Sequence, residues 1–185
     1  LSDFQHCDAQ VLPWTRDNPG IERVISLSEY DLLNAARLRE LLDVEGARLS
    51  EVEIVRNKVK MKQAIQAAGL DVPAHVHCQD VLHAGAAIER LSWSGKTILK
   101  PVYGAASRDT RIWPTLQRAV EAIRNNQTGI KNFRPEDFEI EEFVEGRLFH
   151  VDGMLHNGQL CFAMPSLYIG DALSYTIGSR VGPAL

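Results

Sequence analysis

The chain has 185 residues, 45% hydrophobic and 24% charged, which is enough apolar surface for one large domain or two small ones with real cores and excludes a disordered chain. A formal net charge of −4 excludes the broad basic surface of a nucleic-acid binder, so any polyanion site must be a local pocket. Cys7, Cys78 and Cys161 are odd in number and scattered, the usage expected of free thiols in a reducing cytoplasm. No run approaches the roughly 18 to 20 apolar residues that span a bilayer, and the first residues lack a signal peptide's charged start and apolar core. The pattern predicts a cytoplasmic protein without a membrane partner, and the start at Leu1 and stop at Leu185 predict a fragment.

In chain order, Arg23 to Leu27 reads as a short strand, and Ser28-Glu29-Tyr30-Asp31 resembles a capping box opening a helix. Leu32, Leu33, Ala35, Ala36, Leu38, Leu41 and Leu42 give that helix a wide apolar face. Ser50 with Glu53 offers a second cap before a helix to about Ala68, in which Met61, Ala64, Ile65 and Ala68 form a predicted buried stripe. Val72-Pro73 begins an extended segment through about Cys78, and Val81 to Leu91 makes another helix. Strands follow at Thr97 to Pro101, Thr110 to Trp113 and Asp137 to Val144, with a helix at Thr115 to Arg124 over one face of this three-stranded sheet. Leu148 to Leu155 and Gln159 to Tyr168 flank Asn157-Gly158, a strong hairpin signal.

Several stretches carry chemistry. Lys100 closes the apolar run Ile98-Leu99 before Pro101, where a fixed ammonium can neutralise phosphate, or simply point into water. Gly104-Ala105-Ala106-Ser107 is small enough for backbone N–H groups to approach phosphate oxygens, or is only a turn. Glu141 and Glu142 are adjacent in a strand, so one can face a cleft while the other is solvated, unless both belong to a charged edge. His150 and Asp152 share a strand face as an acid/base or ligand pair or as plain surface polarity. His75, His77, Cys78 and His83 invite a metal reading, but no second cluster completes four ligands. No nucleophile elbow is present.

Taken in order, Asn57-Lys58 with Lys62, Gly69-Leu70-x-Val72-Pro73, Ile98-Leu99-Lys100-Pro101, Gly104 to Ser107, Glu141-Glu142-Phe143-Val144-x-Gly146 and His150-Val151-Asp152 resemble the ATP-grasp superfamily. The nearest flavour is that of the carboxylate–amine ligases, with biotin carboxylase and the carbamoyl-phosphate synthetase large subunit as more distant relatives. The resemblance implies an α/β fold of the α+β ATP-grasp type. Residues 1–53 would end a preceding α/β layer, 54–92 would be linking helices, 93–145 an ATP-lid subdomain, and 146–185 the start of a truncated catalytic core. It implies ATP as ligand, with phosphate contacts from Lys58 and Lys100, Lys100 also close to the adenine base, and a flexible phosphate loop at Gly104, Ala105, Ala106 and Ser107. In the hinge Glu141 to Val144, backbone groups of Glu142 and Val144 would bond the adenine edge while Phe143 packs beside it. Ribose contact would fall to Glu145 or His150.

The chain departs from the pattern in two ways. Its phosphate loop has one glycine followed by Arg108-Asp109, and Arg147-Leu148 stand where many relatives carry a ribose-binding glutamate. No Glu-x-Asn segment of the family's Mg²⁺ site occurs, so the resemblance places the metal ligands beyond residue 185 and leaves this chain without catalytic or metal residues of its own. The implied activity is activation of a small carboxylate as an acyl phosphate for attack by an amine, with homo-oligomerisation left open. The alternative is a non-catalytic nucleotide-binding or structural relative, and a biotin carboxylase-like carboxylase is a lesser one.

Overall fold

A computed structural model of the chain describes residues 4–83, 91, 93–170 and 182–184. It divides into two units, residues 1–72 and 73–185. The first is helical: α1 (Phe4–Asp17), α2 (Leu32–Leu42), α3 (Leu49–Arg56) and α4 (Lys58–Ala67). Sequence reasoning missed α1, and the reason is physical: it buries no residue and contains Pro13, so it shows no apolar stripe. Ion pairing and ring contact hold it to α2 instead. Arg37 donates to Asp8 at 3.1 and 2.8 Å and lies 5.3 Å from the Phe4 ring centroid, and the bond to Asp8 holds the guanidinium's pKa above its ordinary value.

The strand expected at Arg23 to Leu27 is not formed. Only an isolated parallel bridge joins Arg23 to Glu45, and Ile25 and Leu27 are exposed, so no ladder takes up this stretch. Ser28 does cap, its hydroxyl accepting from the Tyr30 N–H at 3.3 Å, but what it opens is a 3₁₀ turn over Glu29–Asp31 leading into α2. On α2, Leu33, Ala35, Ala36 and Leu38 are buried and Leu41 is exposed.

The single helix expected from Ser50 is two. Asn57 leaves helical geometry at φ −88°, ψ 108°, and its side chain accepts from the N–H groups of Val59 and Lys60 at 3.1 and 3.0 Å. An asparagine oxygen that satisfies two orphan amides makes a new helix start more favourable than continuation. The start of α3 is also set differently, by Glu51 accepting from the Arg48 N–H at 2.7 Å and Glu40 from Leu49 N–H at 2.8 Å. The stripe Met61, Ala64, Ile65, Ala68 is not the buried one: Lys62 is the buried residue of α4.

The second unit opens with β1 (His75–His77) running directly into α5 (Cys78–His83). The helix expected over Val81 to Leu91 begins earlier than predicted, and residues 84–90 lie outside the described residues. Then come β2 (Thr97–Pro101), β3 (Arg111–Trp113), α6 (Leu116–Arg124) and β4 (Phe138–Glu142). They form a four-stranded antiparallel sheet in the order β1-β4-β2-β3. The extended segment after Pro73 thus supplies the fourth strand, against the three expected, and β4 is internal. The Thr115 hydroxyl caps α6 by accepting from Arg118 N–H at 3.3 Å.

One sheet face builds the core. Leu99, Phe138 and Ile140 pack with Val120 and Ile123 of α6 and with Cys78 and Val81 of α5. A second sheet follows: β5 (Phe149–His156), β6 (Gln159–Ile169) and β7 (Gly182–Ala184) in that order. Asn157 and Gly158 take φ of 50° and 73°, the left-handed pair a two-residue hairpin turn requires, so this expectation holds. No described helix is long and apolar enough to cross a membrane.

Because Leu99 is fully buried in that cluster, Leu99→Ala should cost about 2–5 kcal/mol, read from the shift of a urea denaturation midpoint. Burial first, and the charge of Glu139 second, push the Cys78 thiol far above its ordinary pKa. Alkylation at neutral pH should therefore modify exposed Cys161 quickly and Cys78 only on unfolding. The sign for stability follows: above pH ~8.5 the unfolded chain loses this proton first, so the Cys78 contribution falls as pH rises.

Candidate functional site

The antiparallel register of β1, β4 and β2 sorts their side chains. Thr97↔Glu142, Leu99↔Ile140 and Pro101↔Phe138 share the core face with Val76. On the opposite face stand His75↔Glu141↔Ile98 and His77↔Glu139↔Lys100. The two adjacent acids therefore separate as their alternation requires: Glu141 is 4% exposed and faces Lys100, whereas Glu142 is half-buried on the other side.

Lys100 donates to Glu141 Oε1 across the sheet. The carboxylate side chain is 5% exposed and the lysine 30%, so the ammonium stands at the rim of a buried acidic patch. Sequence reasoning missed Glu139, which is fully buried and lies two residues before Glu141 on the same face. The period-2 alternation Glu139, Glu141 was the signal available for it. His75 Nδ1 lies 3.1 Å from the Pro73 carbonyl.

The loop joining β2 to β3 contains Gly104 to Ser107. Its left-handed backbone does not fall on its glycine: Ala106, Ser107 and Asp109 have φ of 52°, 55° and 55°. A Cβ on Gly104 would meet Pro101 Cβ at 2.8 Å, so Gly104 serves close approach. Turn bonds from Gly104 N–H to Pro101, Arg108 N–H to Ala105 and Thr110 N–H to Ser107 (3.3, 3.2 and 3.3 Å) fold the loop on itself. Left-handed non-glycine residues cost roughly 1–2 kcal/mol each and cluster where a ligand contact compensates them.

Beyond β4 a short connection leads to β5. Glu142 N–H donates to Ala74 O at 2.8 Å and Phe143 N–H to Lys96 O at 2.9 Å, which ties both flanks of β4 to its neighbours. Val144 is 65% exposed, and among the described residues no backbone bond engages its N–H. Lys96, another residue the sequence reading passed over, lies 5.6 Å from the Phe143 ring centroid and pairs with Glu145 at 2.7 Å. The hydrogen bond from Lys96, and then its charge, hold the Glu145 carboxyl below its usual range.

His150 Nε2 on β5 donates to Asp152 Oδ2 at 2.9 Å, and the ring stacks edge-on against Tyr168, with centroids 4.8 Å apart. Lys58 belongs to the first unit, as the first residue of α4 directly after the Asn57 cap. The first sheet thus carries Lys100, the loop after β2 and the connection after β4; His150 pairs on the second sheet. Among the described residues no group of three or more His, Cys, Asp or Glu is placed to hold a metal.

No family model matches the chain. It is 24% identical over 149 residues to the L-arginine-specific L-amino acid ligase of Bacillus subtilis, covering 80% of this chain and 35% of that protein. Among solved structures, an L-amino acid ligase from Bacillus licheniformis matches with a TM-score of 0.66 at 22% identity, over 90% of this chain and 37% of that one. The biotin carboxylase domain of Hydrogenobacter thermophilus 2-oxoglutarate carboxylase, solved with MgADP, ADP and bicarbonate, matches with a TM-score of 0.57 at 20% identity, over 77% and 32% of the two chains. The chain therefore spans about a third of the length of these relatives.

The Lys96–Glu145 pair yields a pH prediction. Glu145 should titrate below ordinary exposed carboxylates in an NMR experiment, and Lys96→Met should raise its midpoint. A depressed carboxyl stabilises the fold above its unfolded pKa and loses that contribution as pH falls, and at this exposed site the effect on stability should be small.

Proposed function

We propose, from the ATP-grasp fold that the chain shares with these ligases, that it is the nucleotide-binding portion of an ATP-dependent ligase. The enzyme would activate a carboxylate as an acyl phosphate for attack by an amine. The observation that carries this reading is the placement of Lys100 beside Glu141 on the sheet face away from the helices. The left-handed loop lies at one end of that face and the exposed Val144 amide at the other.

In this reading Lys100 and Lys58 contact phosphates, and Gly104, Ala105, Ala106 and Ser107 lie over the β- and γ-phosphates. Glu142 C=O and Val144 N–H read the adenine edge beside Phe143. A purine edge offers one donor and one acceptor to such a pair, and fixed cations stabilise the charge of a transferring phosphoryl group. His150, tied to Asp152, is the ribose-side candidate, whereas Glu145 is engaged by Lys96. Residues 93–145 would act as the lid, 1–53 as the end of a preceding layer, 54–92 as linking helices and 146–185 as the start of the catalytic core.

The chemistry follows in two steps. A carboxylate oxygen attacks the γ-phosphorus of ATP, the bond to the β-phosphate oxygen breaks, and ADP leaves. The amine then attacks the acyl carbon, phosphate departs, and the amine nitrogen loses a proton. Closing the lid over the first product would keep water from it. Mg²⁺, as present with ADP in the biotin carboxylase structure, would neutralise phosphate charge when bound. Among the described residues no group of three or more His, Cys, Asp or Glu is placed to hold it, and its ligands are proposed to lie in the part of the relatives' length that this chain does not span.

The full-length protein should release ADP over many turnovers only when both a carboxylate and an amine substrate are supplied. Lys100→Ala should abolish that release, and an unchanged rate would sink the assignment. A non-catalytic relative would bind Mg·ATP in a calorimeter without substrate-dependent ADP release. The hinge has its own test: Val144→Pro removes one N–H that supports no ladder bond and should weaken ATP binding about tenfold with the fold intact.

A further inference from the structure

The hinge assignment counts Glu141 among the groups around the purine, but the geometry gives its carboxylate to a different partner. Its backbone lies in the β4 ladder opposite His75 and Ile98, and its side chain accepts from Lys100 Nζ. Glu139 stands directly opposite Lys100 on the same face, where side chains of paired residues are about 5 Å apart. Lys100 therefore lies against two carboxylates that are 0% and 4% exposed, and a buried carboxylate deprived of its cation is costly.

We propose that Glu141 is a positioning residue that acts on the nucleotide through Lys100 rather than by touching the purine, with Glu139 adding to the same field. A lysine ammonium has three donors on a flexible four-carbon stem. Fixing one donor on Glu141 removes most of the stem's freedom before the ligand arrives and leaves the others to reach past the rim towards a phosphate oxygen. The 30% exposure of the lysine side chain against 5% for the glutamate gives the pair this direction, buried acid behind and accessible base in front. The proposal rests on the nucleotide-site reading above.

A double-mutant cycle on Mg·ATP affinity in the full-length protein tests it. Lys100→Gln and Glu141→Gln should each weaken binding about tenfold, and the double variant should bind no more weakly than Lys100→Gln alone. Glu141→Gln should also leave the preference for ATP over GTP unchanged, because its effect passes through a phosphate contact. Independent losses that multiply in the double variant, or a changed ATP/GTP preference, would overturn the proposal. So would an unaffected Glu141→Gln beside a weakened Lys100→Gln, which would leave the nucleotide site standing. Unchanged binding in Lys100→Gln would overturn both. If Glu141→Gln does not fold by circular dichroism, Glu141→Asp keeps the charge on a shorter arm. It should show a smaller loss that disappears in the Lys100→Gln background, and a loss persisting there would overturn the proposal.

Discussion

The burial of two carboxylates on one face of an internal strand is the constraint around which the second unit is arranged. Strand β4 has neighbours on both sides, and its Phe138, Glu139, Ile140 and Glu141 are all buried. Its core face, Phe138 and Ile140, closes on α5 and α6. Its other face, Glu139 and Glu141, needs a cation, and β2 delivers Lys100 to it by register. A slip of one residue would drive the acids into the apolar cluster and the core residues out. The ion pair and the core therefore specify the same register from opposite faces.

The connection after β4 inherits its geometry from that register. Because Glu142 and Phe143 bond outward to Ala74 and Lys96, the sheet holds the chain firmly up to Phe143 and releases it at Val144. Lys96 then reaches over the Phe143 ring to Glu145, bracing the first exposed residues without burying them. A rigid strand ending in an exposed amide suits recognition of a planar base edge, since the donor is fixed by bonds that the ligand does not have to form.

Much of this was readable from residues, and several of the misses share a cause. Helix α6 was predicted almost to the residue because Leu116, Ala119, Val120 and Ile123 keep helical spacing and Thr115 caps it. The β5–β6 hairpin was equally plain from Asn157-Gly158. The strand expected at Arg23 to Leu27 failed for want of a ladder, but three other misses lie where a polar group decided the structure against apolar periodicity. Helix α1 is held by the Asp8–Arg37 pair with no buried residue, the long helix breaks at the Asn57 cap, and α4 buries Lys62 rather than its apolar stripe. At the site, the order of Lys100, the loop and Glu141 was visible in sequence. Glu139 was offered by its alternation with Glu141, but the pairing of Lys100 with Glu141 was not, because it depends on cross-strand register.

The loop after β2 shows how the same strand ending can serve packing and ligand together. Pro101 pairs with Phe138 and the Val102 N–H still donates to Asp137 O at 2.8 Å, while the Pro101 ring occupies the space a Gly104 side chain would need. The only glycine of Gly104 to Ser107 is thus committed to letting the chain double back on Pro101. The left-handed turns pass to Ala106, Ser107 and Asp109, residues that hold such a backbone only at a cost. A loop built this way is less free than a glycine-rich one. Its amides at Gly104, Arg108 and Thr110 are tied inward, so rearrangement around a ligand would begin by breaking turn bonds and relieving strain at Ala106 and Ser107, while Lys100, anchored on the strand by Glu141, stays in place.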